Sequence, residues 1–196
     1  MTLIVALRHA PTGWNRDRRL QGRTDIALDE EGIAVAARWR IDPGWAGYRI
    51  LASPLQRARM TASILFPDAE IGIDRRLIEM DFGAWEGKRL ADLRADPGGD
   101  TAAREAMGLD FTAPDGESPR EVQVRIRPLL ARLAALERPT VLVTHKAVIR
   151  ALYALASGWT MIGKPPTKLR PNCPPLFRLS QDGTPAVERL NVSLEG

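Results

Sequence analysis

The sequence predicts a layered α/β fold, on three grounds. Short apolar runs rich in β-branched residues alternate along the chain with stretches of helical periodicity. A length of 196 residues suits one packed core carrying a small insertion. The composition, 44% hydrophobic and 27% charged, is that of a globular chain and excludes disorder or a fibrous repeat.

Taken in order, Thr2–Leu7 is an apolar run with β-branched members, read as a buried strand that ends on Arg8-His9. A polar, turn-rich stretch continues to Leu28. Asp29 caps a helix running to about Arg40, with Ile33, Ala36, Ala37 and Trp39 as its apolar face and Pro43-Gly44 as its stop. Arg49–Ala52 is a second strand. Ser53-Pro54 reads as a capping serine with proline at the first helical position, opening a helix to about Leu65.

A short strand at Glu70–Ile73 leads into an irregular stretch, Leu77–Gly87. Helical pieces follow near Leu90–Arg94 and Ala102–Met107, separated by Pro97-Gly98-Gly99. This middle section is expected to form a small cap, roughly residues 79–117, inserted into one domain spanning 1–196. Ser118-Pro119-Arg120-Glu121 is a capping box that starts a long amphipathic helix to Leu136, with a kink expected at Pro128. Thr140–Thr144 is the clearest strand, and a helix over Lys146–Ala156 comes next. Strands near Leu176–Ser180 and Ala186–Val192 complete the chain.

Charge and cysteine usage narrow the function class. The net charge is +4 and the isoelectric point about 9.7. Of the 28 basic residues 24 are arginines, scattered among acids without a basic tail or a basic-aromatic platform, so nucleic acid is not expected as a partner. A modest positive field suits small anionic substrates equally well. No apolar run approaches the roughly 20 residues that cross a bilayer, so no membrane partner is expected. The Leu3–Leu7 segment lacks the flanks of a signal peptide, and the single Cys173 cannot form an internal disulfide. A cytoplasmic location is the resulting expectation.

The chemistry is narrowed most by scarcity. The chain has two histidines, His9 and His145, each placed just after the C-terminal end of an expected strand. Open α/β sheets bind ligands at that edge. Ser53 and Arg57 belong to a third strand-to-helix junction of the same polarity.

The local sequences around these residues resemble the histidine phosphatase (phosphoglycerate mutase-like) superfamily. The resemblance lies in Arg8-His9-Ala10-Pro11-Thr12 with Asn15 and Gln21-Gly22, in Ser53-Pro54-Leu55-Gln56-Arg57-Ala58 with Thr61-Ala62, and in Glu79–Gly87. It continues in Gly116-Glu117-Ser118 and Thr144-His145-Lys146-Ala147-Val148-Ile149-Arg150. These motifs stand in family order over about three quarters of the chain. The resemblance implies a three-layer α/β/α phosphoglycerate mutase-like fold and phosphoryl transfer that uses neither metal nor cofactor.

It also implies roles. His9 would attack phosphorus through a neutral ring nitrogen and become a phosphohistidine. Arg8, Arg57 and His145, the last protonated beside the dianion, would hold the phosphoryl oxygens. Glu79 would protonate the leaving oxygen and then activate water, with Glu86 competing for that part. Thr12, Asn15, Gln21 and Gly22 are candidate substrate-binding residues. Lys146 and Ala147 stand where a helix N-terminus would turn its backbone N–H groups toward phosphate.

Two departures from the family pattern stand out. Ala10 replaces a usual glycine and would be strained only at positive φ. Lys146 also replaces a frequent glycine and is either an extra cation at the pocket rim or a solvated lysine. Glu117 is read as helix-N-terminal electrostatics, and Trp14 and Trp85 as packing residues.

The implied activity is hydrolysis of a small phosphomonoester, because the family's mutases carry a longer insertion than the stretch from Glu79 to Ser118. Phosphoglycerate mutase and α-ribazole-phosphate phosphatase are the enzyme alternatives, and a catalytically silent phosphate-binding module is the alternative of another class. The expected partner is a small phosphorylated metabolite, with a homodimer left open. Gly158–Lys164 has the spacing of a phosphate-binding loop, but Pro165 stands where its serine or threonine belongs. Neither an HExxH motif nor a calcium-loop pattern is present.

Overall fold

The first strand, β1 (Thr2–Arg8), carries Ile4 and Ala6 on one face and Val5 and Leu7 on the other, all fully buried. That pattern demands cover on both faces of a sheet. In the computed structural model, which describes residues 1–194, helices supply the cover on both sides.

The other strands are β2 (Arg49–Ala52), β3 (Ile71–Ile73), β4 (Thr140–Thr144), β5 (Leu176–Leu179) and β6 (Pro185–Arg189). They form one sheet in the order β3-β2-β4-β1-β5-β6. The four strands β3, β2, β4 and β1 run parallel, while β5 is antiparallel to β1 and to β6. The helices are α1 (Gly13–Arg16), α2 (Glu30–Arg38), α3 (Gln56–Leu65), α4 (Leu90–Ala95), α5 (Thr101–Glu105), α6 (Pro119–Leu136) and α7 (Lys146–Ser157).

Ile4, Ala6, Leu51 and Leu142 meet α6 and α7 through Ile126, Leu130, Val148 and Leu152. Val5, Leu7, Ile50 and Val143 meet α2 and α3 through Ala36, Ala58 and Ala62, with Trp39 and Trp45 closing the layer. The alternation of strand side chains thus builds the three α/β/α layers read from the sequence.

Several local expectations need adjustment. Along α2 the buried positions are Gly32 and Ala36, while Ile33 and Ala37 are exposed. The reason is a close approach: a Cβ on Gly32 would lie 2.2 Å from the Pro11 carbonyl oxygen, so the helix turns its smallest residues toward the loop after β1. The helix α3 begins at Gln56 with Leu55 as its cap residue, and Ser53 makes no cap there. The capping box at Ser118 and Glu121 forms as expected, and α6 is assigned as one helix across Pro128.

Residues 79–117 contain α4, α5 and two single 3₁₀ turns, 83–85 and 108–110. Both ends of this stretch meet, because the Glu117 N–H donates to the Asp81 carbonyl (2.9 Å) and the Ala84 N–H to the Pro114 carbonyl (2.9 Å). No helix among the described residues is long and apolar enough to cross a membrane.

Candidate active site

Register at the sheet edge creates the site. Arg8 pairs with Thr144, and Ala52 with Val143. One residue further on, the His9 N–H donates to the Thr144 carbonyl (3.0 Å) and the Ser53 N–H to the Val143 carbonyl (2.9 Å). His9, His145 and Ser53 therefore leave three adjacent parallel strands side by side. The two imidazoles stand 5.1 Å apart between ring centroids, tilted by 53°.

His9 is 4% exposed, and its Nδ1 lies 2.7 Å from the Ala10 carbonyl oxygen. A carbonyl can only accept, so Nδ1 carries the proton and Nε2 the lone pair. Burial, and then the charges of Arg8 and Arg57, hold the pKa of His9 well below the usual histidine range. The ring is neutral, with its free nitrogen nucleophilic. Ala10 is absent from the positive-φ residues, so it replaces glycine without backbone strain. Its N–H donates to the Thr61 hydroxyl (3.0 Å), which itself donates to the Arg57 carbonyl (2.7 Å). Thr61 thus ties the loop that follows His9 to α3.

Arg57 is fully buried. Its terminal nitrogens donate to the carbonyls of Thr24 (2.8 Å) and Gly22 (2.7 Å), while its Nε has no protein partner. Arg8 is half-buried and its buried Nε is likewise unpartnered. Burial lowers the pKa of both guanidiniums, and Glu79 opposes that shift in each. Unpaired buried donors on two cations beside a neutral imidazole suit an anionic ligand.

Glu79 is 7% exposed. One carboxylate oxygen accepts the Met80 N–H (2.9 Å), and the other accepts the N–H of Ala147 in the first turn of α7 (3.4 Å). Burial raises its pKa, against the pull of the Met80 N–H, Arg57, the Ala147 N–H and Arg8. His145 is fully buried, and its Nε2 lies 2.7 Å from the Ser53 hydroxyl. Burial first, then His9, Arg57 and Arg8, hold His145 well below the usual range, so its protonated form requires a neighbouring negative charge.

The remaining sequence candidates divide. Gln21 is buried with an unpartnered Oε1. Gly22 lends its carbonyl to Arg57 and sits at φ +52°. Thr12 and Asn15 bond each other in a capping box at the start of α1, so their polar groups shape the loop after His9. Ala147 spends its N–H on Glu79. Lys146 is exposed, with a pKa lowered first by partial desolvation and then by Arg8 and Arg150. Glu117 binds the Arg125 guanidinium (2.7 Å), and Trp85 packs on Phe111 at 5.7 Å.

Three contributors to the site carry roles not read from the sequence. Ser53 contacts His145, Thr61 bridges two motifs, and Glu86 accepts bonds from Arg23, Thr24 and Phe82. Thr61 had a signal, since it lies four residues after Arg57 on the same helical face. Among the described residues no group of three or more His, Cys, Asp or Glu side chains is placed to hold a metal ion.

Comparison with known proteins identifies the family. The family model described as "Histidine phosphatase superfamily (branch 1)" matches residues 4–193. The chain is 37% identical over 185 residues to a glucosyl-3-phosphoglycerate phosphatase of Mycobacterium tuberculosis, covering 82% of this chain and 79% of that one. It is 30% identical over 197 residues to a 2,3-bisphosphoglycerate-dependent phosphoglycerate mutase of Methylobacterium radiotolerans, covering 94% and 92%. A solved mycobacterial glucosyl-3-phosphoglycerate phosphatase with inorganic phosphate superposes with a TM-score of 0.80 at 28% identity, covering 99% of each chain. With a matching family model over nearly its whole length, the chain belongs to the histidine phosphatase superfamily, branch 1.

Proposed function

We propose that this protein hydrolyses a small phosphomonoester through a phosphohistidine on His9, with no metal taking part. The observation that carries this reading is the His9 tautomer: its Nδ1–H is committed to the Ala10 carbonyl, leaving the Nε2 lone pair among Arg8, Arg57 and His145. The chain acts as one domain, with residues 79–117 forming a cap over the site; the last two residues of that domain, 195 and 196, lie outside the described ones.

In the first step Nε2 of His9 attacks phosphorus and the bond to the leaving oxygen breaks. Arg8 and Arg57 meet the charge on the phosphoryl oxygens, and His145 adds a donor. Preorganised donors of this kind are each worth about 3–4 kcal/mol in the transition state. Glu79 gives its proton to the leaving oxygen, a role that its raised pKa supports. In the second step water attacks the phosphorus, Glu79 takes one of its protons, and the P–N bond breaks with its electron pair returning to Nε2. Gln21, Gly22, Thr12 and Asn15 line or shape the phosphate loop.

The relatives support a substrate class. The glucosyl-3-phosphoglycerate phosphatase and the phosphoglycerate mutase share a phosphoglycerate unit in their names, so a phosphate ester that also bears a carboxylate is the favoured class. Mutase activity is the second reading, favoured by the 30% identity to the phosphoglycerate mutase over 94% of the chain.

Rapid quench of the enzyme with labelled phosphate ester tests the reading. An acid-labile, alkali-stable adduct is expected, absent from His9→Ala. Glu79→Gln should slow turnover of an alkyl phosphate by roughly 10²–10⁴, while phosphorylation by an aryl phosphate, whose leaving group needs no proton, changes far less. Near-normal turnover by His9→Ala would overturn the covalent route.

A further inference from the structure

We propose that Ser53 sets the tautomer of His145, holding Nε2 as a hydrogen-bond acceptor so that Nδ1–H is the group offered to the transferring phosphoryl. The phosphoryl part of this statement rests on the hydrolase reading above; the tautomer part does not.

The argument is an accounting of one hydroxyl. Ser53 is fully buried, so its O–H proton must find an acceptor within the protein. The Ser53 oxygen already accepts the Leu55 N–H (3.3 Å), which occupies a lone pair and turns the hydroxyl away from that side. Among the described residues its one other contact is with His145 Nε2, at 2.7 Å. If Nε2 carried the proton, the hydroxyl would receive two N–H groups and its own hydrogen would be buried without an acceptor. With Nε2 unprotonated, every group in the chain Leu55 N–H, Ser53 O–H, His145 Nε2 is satisfied.

The consequence falls on the other ring nitrogen. His145 is fully buried, and its Nδ1 has no protein partner. In a neutral ring whose Nε2 is an acceptor, Nδ1 must carry the hydrogen. His9 stands 5.1 Å away with the same tautomer, fixed there by the Ala10 carbonyl. The second-nitrogen contacts of the two rings therefore differ in kind. On His9 the committed nitrogen is the donor, so a lone pair is left free. On His145 the committed nitrogen is the acceptor, so an N–H is left free. One ring supplies the nucleophile and the other a donor, without either having to be charged before substrate arrives.

Ser53 is a positioning residue in this scheme, since it acts only through His145. Its own sequence signal pointed elsewhere, to a helix cap. The cap is not formed because α3 starts three residues later, at Gln56.

The test uses the whole protein labelled with ¹⁵N at its two histidines, whose four ring nitrogens are separated by a His9→Ala comparison. Long-range ¹H–¹⁵N correlation should find His145 with Nδ1 protonated and Nε2 unprotonated at neutral pH. Inorganic phosphate should then shift the His145 Nδ1 resonance. Ser53→Ala should yield a mixture of His145 tautomers and a fall in kcat of about tenfold or more, within the range for losing one transition-state donor, with KM little changed. Ser53→Thr, which keeps the hydroxyl, should restore the single tautomer. Wild-type His145 protonated at Nε2 would overturn the proposal without any variant having to fold. So would an unchanged His145 tautomer in Ser53→Ala. A correct tautomer together with no phosphohistidine would instead fault the hydrolase reading and leave the tautomer assignment standing.

Discussion

The Glu86 carboxylate fills the space beside Gly22: a Cβ on residue 22 would lie 1.7 Å from its Oε1. From that position Glu86 accepts the N–H groups of Arg23 (2.7 Å) and Thr24 (2.9 Å), together with the Thr24 hydroxyl. The carbonyls of Gly22 and Thr24, on the same short loop, hold the two terminal nitrogens of Arg57. Glu86 therefore shapes a loop, and the loop aims the Arg57 guanidinium proposed to bind phosphate. The sequence leaves Glu86 as a competitor of Glu79 for the acid role, but its oxygens are spent on backbone donors and the Thr24 hydroxyl.

Glu86→Ala leaves those loop donors without their carboxylate and is expected to destabilise the fold by about 2 kcal/mol, the scale of hydrogen bonds to a charged group. Arg57 should lose its alignment, with a fall in kcat/KM of about tenfold to a hundredfold, as small misplacements in a site cost. Gly22→Ala should do comparable damage from the other side, by collision and by its positive φ. Steady-state kinetics on both folded variants checks this. Unchanged kcat/KM in both would separate Glu86 from Arg57.

The legible part of this molecule is the part governed by local pattern. Strand alternation at Val5 and Leu7, the capping box at Ser118 and the two histidines after strand ends all express themselves within a few residues. What escaped depends on partners distant in sequence. Ser53 looks like a cap because it precedes a proline and a helix, yet its partner is 92 residues away. Ile33 and Ala37 fit an apolar face by period, but with Gly32 held against Pro11 they turn to solvent while Ala36 and Trp39 of the same face stay buried. Glu86 serves a loop more than 60 residues earlier, which no spacing rule connects.

Two buried histidines should make stability fall early on acidification. His9 and His145 both have folded-state pKa values well below 6.5. The unfolded chain protonates them near 6.5, so it binds more protons than the folded state at pH values below that point. Their contribution is complete above about pH 6.5 and is lost as pH falls, at up to about 1.4 kcal/mol per pH unit for each histidine. Glu79 has the opposite sign: its raised pKa favours folding below its unfolded value and is lost as pH rises through the folded one. Thermal melts from pH 7.5 to 5 should show a declining Tm, with a shallower slope in His9→Asn. A wild-type Tm that stays level over that range contradicts the burial of both rings in neutral form.

Lys146 carries the last prediction. It opens α7 directly after His145, is exposed, and its nearest acidic influence is Glu79, which raises its pKa. Partial desolvation first, then the charges of Arg8 and Arg150, lower its pKa, against the pull of Glu79. Arg150, one helical turn along, rests over the Trp159 ring at 5.0 Å and makes no ion pair among the described residues. Such a pair beside the proposed phosphate site suits a second negative group on a substrate, such as a carboxylate. Because Lys146 is reached by solvent, screening limits its contribution to about 1 kcal/mol, which is a several-fold effect. Lys146→Ala should therefore raise KM several-fold for a phosphate ester bearing a carboxylate, with little change for an aryl phosphate that has no second charge. The difference should shrink as salt is added and the Debye length falls below about 10 Å. Equal KM changes for both substrates, or none for either, would leave Lys146 a solvated helix-start residue with no part in recognition.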